Sequence, residues 1–343
     1  MKTIVPPLIL IALLCLSGCP GPKVQDPMAK EIRSPKAPPG ASKAIAEPIN
    51  PELRGKAKLV IEDSLKSSDP ILRANAIEAI QNTIGKDGAD QIMRGLNDRE
   101  AVVRFASAMA AGTLQLAPAK PIVWEMAQAD GDASVRVAAR YALHRLGDVR
   151  LSHDLEKFAI DTDKWVRANT AMVLGRLGEK SALNVLRTMT KDREREVRVQ
   201  VFEAMWRLGD EEGLENLVAS SYSQDPSDQI IATIALAEPR NDKVSGVIYG
   251  KLVSDYPETE LAAARGMGML GSDAGYTIAM NATKDTDPRR RVMAAMALGA
   301  IGRSDAQPAL TRLLGDQDPN VKLASATAIL QLKPPGSRSD LSP

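Results

Sequence analysis

Ser134-Val135-Arg136-Val137-Ala138-Ala139, Trp165-Val166-Arg167-Ala168-Asn169-Thr170, Glu196-Val197-Arg198-Val199-Gln200-Val201 and Asn320-Val321-Lys322-Leu323-Ala324-Ser325 are four versions of one phrase. Its third position belongs to a series that runs Arg73, Arg104, Arg136, Arg167, Arg198, Gln229, Glu260, Arg291, Lys322. The step is 31 residues throughout, except for one of 32 between Arg104 and Arg136. A fixed period of this size is the mark of a solenoid, because each unit is too small to bury its apolar face alone and must stack on its neighbours.

Four residues before most of these positions stands an aspartate: Asp69, Asp132, Asp163, Asp225, Asp287 and Asp318, four of them followed by proline. Aspartate is a strong N-cap and proline fits the first helical position, so each marks a helix start. Small and branched residues then recur at helical spacing, as in Val135, Ala138, Ala139, Ala142, Leu143 and Leu146. The segment closes on glycine in Leu146-Gly147, Leu177-Gly178, Leu208-Gly209 and Leu270-Gly271, where a left-handed C-terminal cap is undemanding for that residue. A second amphipathic stretch precedes each aspartate, exemplified by Leu151, Leu155, Phe158 and Ala159. Each repeat thus reads as two antiparallel helices, and nothing in the span alternates like a strand.

The pattern Asp-Pro-x-Val-Arg-x-x-Ala-x-x-Ala-Leu-Gly-x-Leu-Gly resembles HEAT repeats, of the short kind first described in phycobilisome lyases. The resemblance covers residues 52–333. It implies an all-α fold, a right-handed α-α superhelix or HEAT-like solenoid of about nine two-helix repeats. Packed at roughly 8–10 Å per helix layer, nine repeats are expected to form a curved rod on the order of 80–90 Å long. The resemblance also implies a ladder of ion pairs and hydrogen bonds between successive repeats. By that analogy the pairs are Asp132 with Arg136, Asp163 with Arg167, Asp287 with Arg291 and Asp318 with Lys322, and the same ladder includes Asp69, Arg73, Arg104 and Arg198. Gln229 and Glu260 interrupt it, and Pro239 breaks the helix-closing pattern in the same region.

The N-terminus reads as a processing signal. A thin basic start at Lys2 precedes the apolar run Leu8 to Leu16, which is too short to span a bilayer. The run ends in Leu16-Ser17-Gly18-Cys19, which resembles the bacterial lipobox. That resemblance implies a signal peptide over 1–18, cleavage before Cys19, and a lipid on its thiol that anchors the chain to a membrane without a spanning helix. Pro20 follows where an aspartate would signal inner-membrane retention, so the periplasmic face of the outer membrane is the expected site in a Gram-negative cell. Residues 19–51 are a proline-rich tether and residues 334–343 a short tail with no core of their own.

With 44 Lys and Arg against 43 Asp and Glu, the chain has no basic excess for phosphate contact, and no nucleic-acid partner is expected. Cys15 falls in the signal and Cys19 at the lipid site, leaving no pair to oxidise. Gly266-Met267-Gly268-Met269-Leu270-Gly271 spells a dinucleotide fingerprint, but it lies late in a helix rather than between a strand and a helix, and reads as packing. The two histidines, His144 and His153, sit on different helices and there is no convergent ligand set, so neither a metal, a cofactor nor a catalytic residue is expected.

The richest surface by composition lies on the second helices of repeats three to five. Arg145, Arg176 and Arg207 recur in register there, among Tyr141, His144, Met172, Phe202 and Trp206. In HEAT-like solenoids such helices line the concave face, and these residue types are enriched at interface cores. The competing reading makes each arginine a helix-end cation neutralised by Asp148, Glu179 or Asp210 three residues later. The expectation is an envelope-anchored, non-catalytic scaffold that binds another envelope protein. The alternatives are an enzyme of lyase or hydroxylase type with a ligand on the concave face, or a purely architectural spacer.

Overall fold

A computed structural model describes residues 49–333. The expected signal segment, Cys19 and the tether up to residue 48 lie outside the described residues, as does the tail from 334. The described residues form nine helical hairpins and no strand. In chain order these are α1 (Pro51–Ser64) with α2 (Pro70–Thr83), α3 (Ala89–Gly95) with α4 (Ala101–Thr113), and α5 (Lys120–Ala129) with α6 (Ala133–Arg145). In the fourth a 3-10 stretch, Ser152–Ile160, pairs with α7 (Lys164–Leu177), in place of the amphipathic α-helix read from Leu151 to Ala159. There follow α8 (Leu183–Met189) with α9 (Arg195–Arg207), α10 (Glu211–Ser221) with α11 (Pro226–Ala237), and α12 (Ser245–Gly250) with α13 (Pro257–Met269). The last two are α14 (Tyr276–Ala282) with α15 (Pro288–Ile301) and α16 (Gln307–Leu314) with α17 (Pro319–Gln331).

Local chemistry starts and stops these helices. All six aspartates cap the second helix of their repeat, each side chain accepting a backbone N–H in the first turn, as Asp132 does from Ser134 and Val135. At the other end Gly178 and Gly302 take up the left-handed conformation. Repeats two and six place Gln115 and Arg240 in that conformation instead, with φ of 52° and 55°, at the sites where their neighbours have glycine. The helices' apolar stripes make one continuous core running from Leu53 to Leu332.

The second helices form an unbroken inner wall, each packed on the next from α2 to α17. The wall then closes, since α17 packs against both α1 and α2. The Arg54 guanidinium donates to the Leu330 carbonyl at 3.3 Å, and the backbone N–H of Asn50 to Oε1 of Gln307 at 2.9 Å. The expected open rod is therefore corrected: the solenoid is a ring whose ninth repeat stacks on its first. Leu53, Ala57 and Ile61 on α1 are buried against this last repeat and their own hairpin partner, so neither end is left bare. The ring has two rims. One carries the aspartate caps of the inner helices; the other carries their glycine ends.

The inter-repeat ladder exists but runs through other aspartates than the sequence suggested. Each cap aspartate serves its own helix, and the arginine reaches forward to the aspartate two residues before the next cap. Arg73 holds Asp98 at 3.0 and 2.8 Å, Arg104 holds Asp130 at 2.8 and 2.8 Å, Arg167 holds Asp192 at 2.6 and 2.9 Å, and Arg291 holds Asp316 at 2.8 and 2.9 Å. In each rung the remaining guanidinium nitrogen donates to two carbonyls of the turn behind it, as Arg291 does to Asp285 and Thr286. The fork thus ties one turn to the next, a use for which lysine is a poor substitute.

Five rungs are missing among the described residues, one of them at the closure, where Lys322 makes no ion pair, with Asp318 or otherwise, and the turn ahead holds Ser67 at the rung site. Arg136 bonds only the Asp130 carbonyl and lies over the Phe158 ring. Arg198 bonds its own turn but faces Ser223 where a rung would need a carboxylate. Gln229 keeps the turn bond, to the Ser223 carbonyl at 2.8 Å, and cannot make the rung. Glu260 makes neither, and burial pushes its carboxyl above the usual range.

Candidate functional site

Closure turns the expected concave face into a lumen. Nine helices spaced about 9–10 Å around a circle put their axes roughly 14 Å from the centre, so long side chains meet across it. Glu78 on α2 accordingly feels Arg176 on α7, Arg265 on α13 and Glu238 at the C-cap of α11, three to six repeats away along the chain. Enclosure by the wall and the charge of Glu238 push its carboxyl up, against the pull of the two arginines.

A chain of polar contacts lines one side of this space. Gln200 donates to Glu203 at 2.8 Å, and Glu203 receives Arg207 through Nε at 2.9 Å and Nη2 at 2.6 Å. Arg207 lies 3.7 Å from Glu238, which lies 3.8 Å from Arg265. Burial drives the Glu203 carboxyl upward, opposed chiefly by Arg207. Nη1 of Arg265 is buried with no hydrogen-bond partner. Three glutamates and three arginines thus face one another, a nearly balanced cluster in a confined space.

The sequence-expected patch is divided by this geometry. Arg176 and Arg207 belong to the lumen cluster. Tyr141, Met172 and Trp206 are buried in the wall, the first with its hydroxyl 3.2 Å from Thr113 Oγ1 and the last donating from Nε1 to the Leu236 carbonyl at 3.2 Å. Phe202 is half-buried. His144 pairs with Glu179 at 2.7 Å, and Arg145 is exposed on the glycine rim. Asp148 does not neutralise Arg145; it is held by Arg150 at 2.7 Å, which brings its carboxyl down to about 2. Asp210 pairs instead with Arg187.

Sequence reasoning missed Glu78, Glu203, Glu238 and Arg265. A signal was present: Glu78, Glu203 and Arg265 stand five residues after the repeating position, and Arg176, Arg207 and Glu238 nine after it. Positions four apart share a helix face, so the two series form one inward stripe. Gly268, from the spurious fingerprint, permits close packing: a β-carbon there would come within 2.6 Å of the Ile301 nitrogen. Among the described residues no group of three or more His, Cys, Asp or Glu is placed to hold a metal ion, and no helix is long and apolar enough to cross a membrane.

Fold and lumen together define a closed array of short helical hairpins. The family model for HEAT repeats matches residues 59–144, 153–237 and 277–342, and the chain belongs to the HEAT repeat family. Among solved structures it is similar to human deoxyhypusine hydroxylase in complex with glycerol, at 17% identity and a TM-score of 0.36 over 82% of this chain and 96% of that one. It is also similar to the complex of CpcE and CpcF of phycocyanin lyase from Nostoc sp. PCC7120, at 20% identity and a TM-score of 0.43 over 74% and 98%. Kap121p aligns at 14% identity with a TM-score of 0.33, over 82% of this chain and 37% of its own. These are likenesses of repeat architecture alone. No curated protein sequence matches the chain.

Proposed function

We propose that this protein is an exported, lipid-anchored and non-catalytic scaffold that binds another protein of a bacterial envelope through a rim of its ring. The observation that carries the reading is the closure. It removes the concave face from large partners and leaves the two rims and the outer wall of first helices as the continuous surfaces a macromolecule can reach, and the rims are where most of the exposed large apolar side chains stand. The anchor rests on the resemblance of Leu16-Ser17-Gly18-Cys19 to a lipobox. Two contacts hold the ends of the described chain: Asn50 bonds Gln307 at the start of α16, and the Lys333 N–H bonds the Gly302 carbonyl at 2.9 Å. Both put the ends of the described chain at the glycine rim, opposite the cap rim.

Membrane fractionation of cells producing wild type and Cys19→Ser tests the anchor. Wild type is expected in the membrane pellet, released by detergent alone, and the variant in the soluble fraction; identical partitioning overturns the anchored reading. Site-specific photocrosslinking from cap-rim positions in intact cells tests the scaffold, which requires a discrete protein adduct.

The unpaired Nη1 of Arg265 favours one second reading, a small polar ligand held in the lumen. Native mass spectrometry of the purified ring decides it, since a retained small-molecule mass lost in Arg265→Gln is required.

A further inference from the structure

Ile160, Tyr222 and Val253 are three of the five large apolar side chains most exposed on the described surface, at 83%, 54% and 84%. They occupy the same position in repeats four, six and seven, immediately before the rung site on the cap rim. Where a rung is formed, this place holds Asn97, Ala129, Lys191 or Gly315. Where it is missing, it holds Ile160, Tyr222, Val253, Lys284 or, at the closure, Lys66. On either side of the intact Arg167–Asp192 rung, rungs are absent at the repeats where large apolar groups are displayed, although each absence forgoes a bidentate ion pair.

We infer that the cap rim of repeats four to eight is a docking track for an extended polypeptide whose apolar side chains meet Ile160, Tyr222 and Val253 and whose carboxylates meet Lys191 and Lys284. This deepens the scaffold reading and rests on it. The stripe continues past Val253 into a groove of about 370 Å³ at the missing fourth rung, lined by Glu260, Leu261, Ile278, Lys284, Asp285 and Arg290 among others, where Arg290 lies 3.4 Å from the Asp285 carboxylate and offsets it. Lys191 and Lys284 are exposed and make no ion pair among the described residues, so one cation stands between Ile160 and Tyr222 and a second follows Val253. Lys251, nearly buried, lies 3.3 Å from the centre of the Tyr222 ring and braces it in its outward pose. Asp255 is exposed beside Val253 and bars a carboxylate from that repeat. Repeats recur about every 9–10 Å along the inner wall, and a chain in the polyproline-II conformation advances about 3.1 Å per residue with three residues per turn, so every third side chain faces the rim.

The test is fluorescence anisotropy of the full chain carrying Cys19→Ser with a labelled peptide that carries Leu, Asp, Leu, Leu and Asp at every third position with Ser between them, beside the same peptide with Lys for Asp. The acidic probe is expected to bind wild type, to bind roughly tenfold more weakly to Tyr222→Ser/Val253→Ser, and to lose to the lysine probe on Lys191→Glu/Lys284→Glu. These are surface positions, and circular dichroism verifies that the variants fold. Equal binding by the apolar double variant, or of both probes to wild type, overturns the inference. So does self-association of wild type in sedimentation that the double variant abolishes, which assigns the stripe to a second copy of the ring. A photocrosslinked partner retained by the double variant overturns the track while leaving the scaffold reading intact.

Discussion

The guanidinium of Arg54 rests on the carbonyl of Leu330, 276 residues further along the chain, and fastens the first helix to the last. In an open superhelix of nine repeats these residues would stand some tens of ångströms apart. Arg54→Cys/Gln331→Cys, with Cys15 and Cys19 replaced by serine, is expected to accept a short bis-maleimide within one molecule at any protein concentration. Only concentration-dependent dimers would mean the ring is open.

The four rungs give a measurable acid sensitivity. Arg291 holds the Asp316 carboxyl below its usual range against the opposing effect of burial. A carboxyl lowered in the folded state contributes stability above its unfolded pKa, lost as pH falls through the folded value. Asp316→Asn is expected to destabilise the ring by about 2 kcal/mol at neutral pH. The gap between wild type and variant should shrink as pH drops below about 4 in denaturant titrations. A gap independent of pH would deny the rung its charge.

Glu78 works in the opposite sense. Its carboxyl is raised, so the stability it contributes is complete below its unfolded pKa and is lost as pH rises through the folded one. Glu78→Gln should match wild type near pH 4 and be at least as stable at pH 7. A variant much weaker at pH 7 would show that Arg176 and Arg265 outweigh the cost of enclosure.

Arg240 occupies a left-handed site where most repeats have glycine. Arg240→Gly is expected to stabilise the chain by about 1 kcal/mol by removing that strain. A fall in the unfolding midpoint would mean that the Arg240 side chain contributes more than its backbone costs.

At Gly268 the reverse holds. Gly268→Val drives a branched side chain into the backbone of α15 and should cost about 1–3 kcal/mol, with the far-ultraviolet spectrum unchanged. Unaltered stability would show that α13 and α15 pack less closely than described.

The repeat, its two helices and its caps were legible because each depends on residues a few positions apart: Asp287 and the amide it caps, or Leu177 and Gly178. The rungs were half legible. Arginine and aspartate recur with one period, so Arg291 can be matched equally well to Asp287 behind it or Asp316 ahead, and only the packing of turns selects the latter. Closure was hidden for a different reason, since it follows from a small rotation summed over every repeat. One clue lay in the end helices: Leu53, Ala57 and Ile61 on α1 and Leu323, Ala326 and Ile329 on α17 are apolar where an open array needs polar terminal caps. The lumen charges were missed because single residues in different repeats mean little until the circle brings Glu78 to Arg265.

A circle also fixes its own membership. Tandem arrays ordinarily gain or shed units by duplication and deletion, and an open spiral tolerates either by growing longer or shorter. Here a tenth hairpin would leave α17 no α1 to meet, and an eighth-only version would leave a gap. Copy number is therefore held by geometry, while within each hairpin the rim positions remain free to diverge, as Tyr222 and Val253 have.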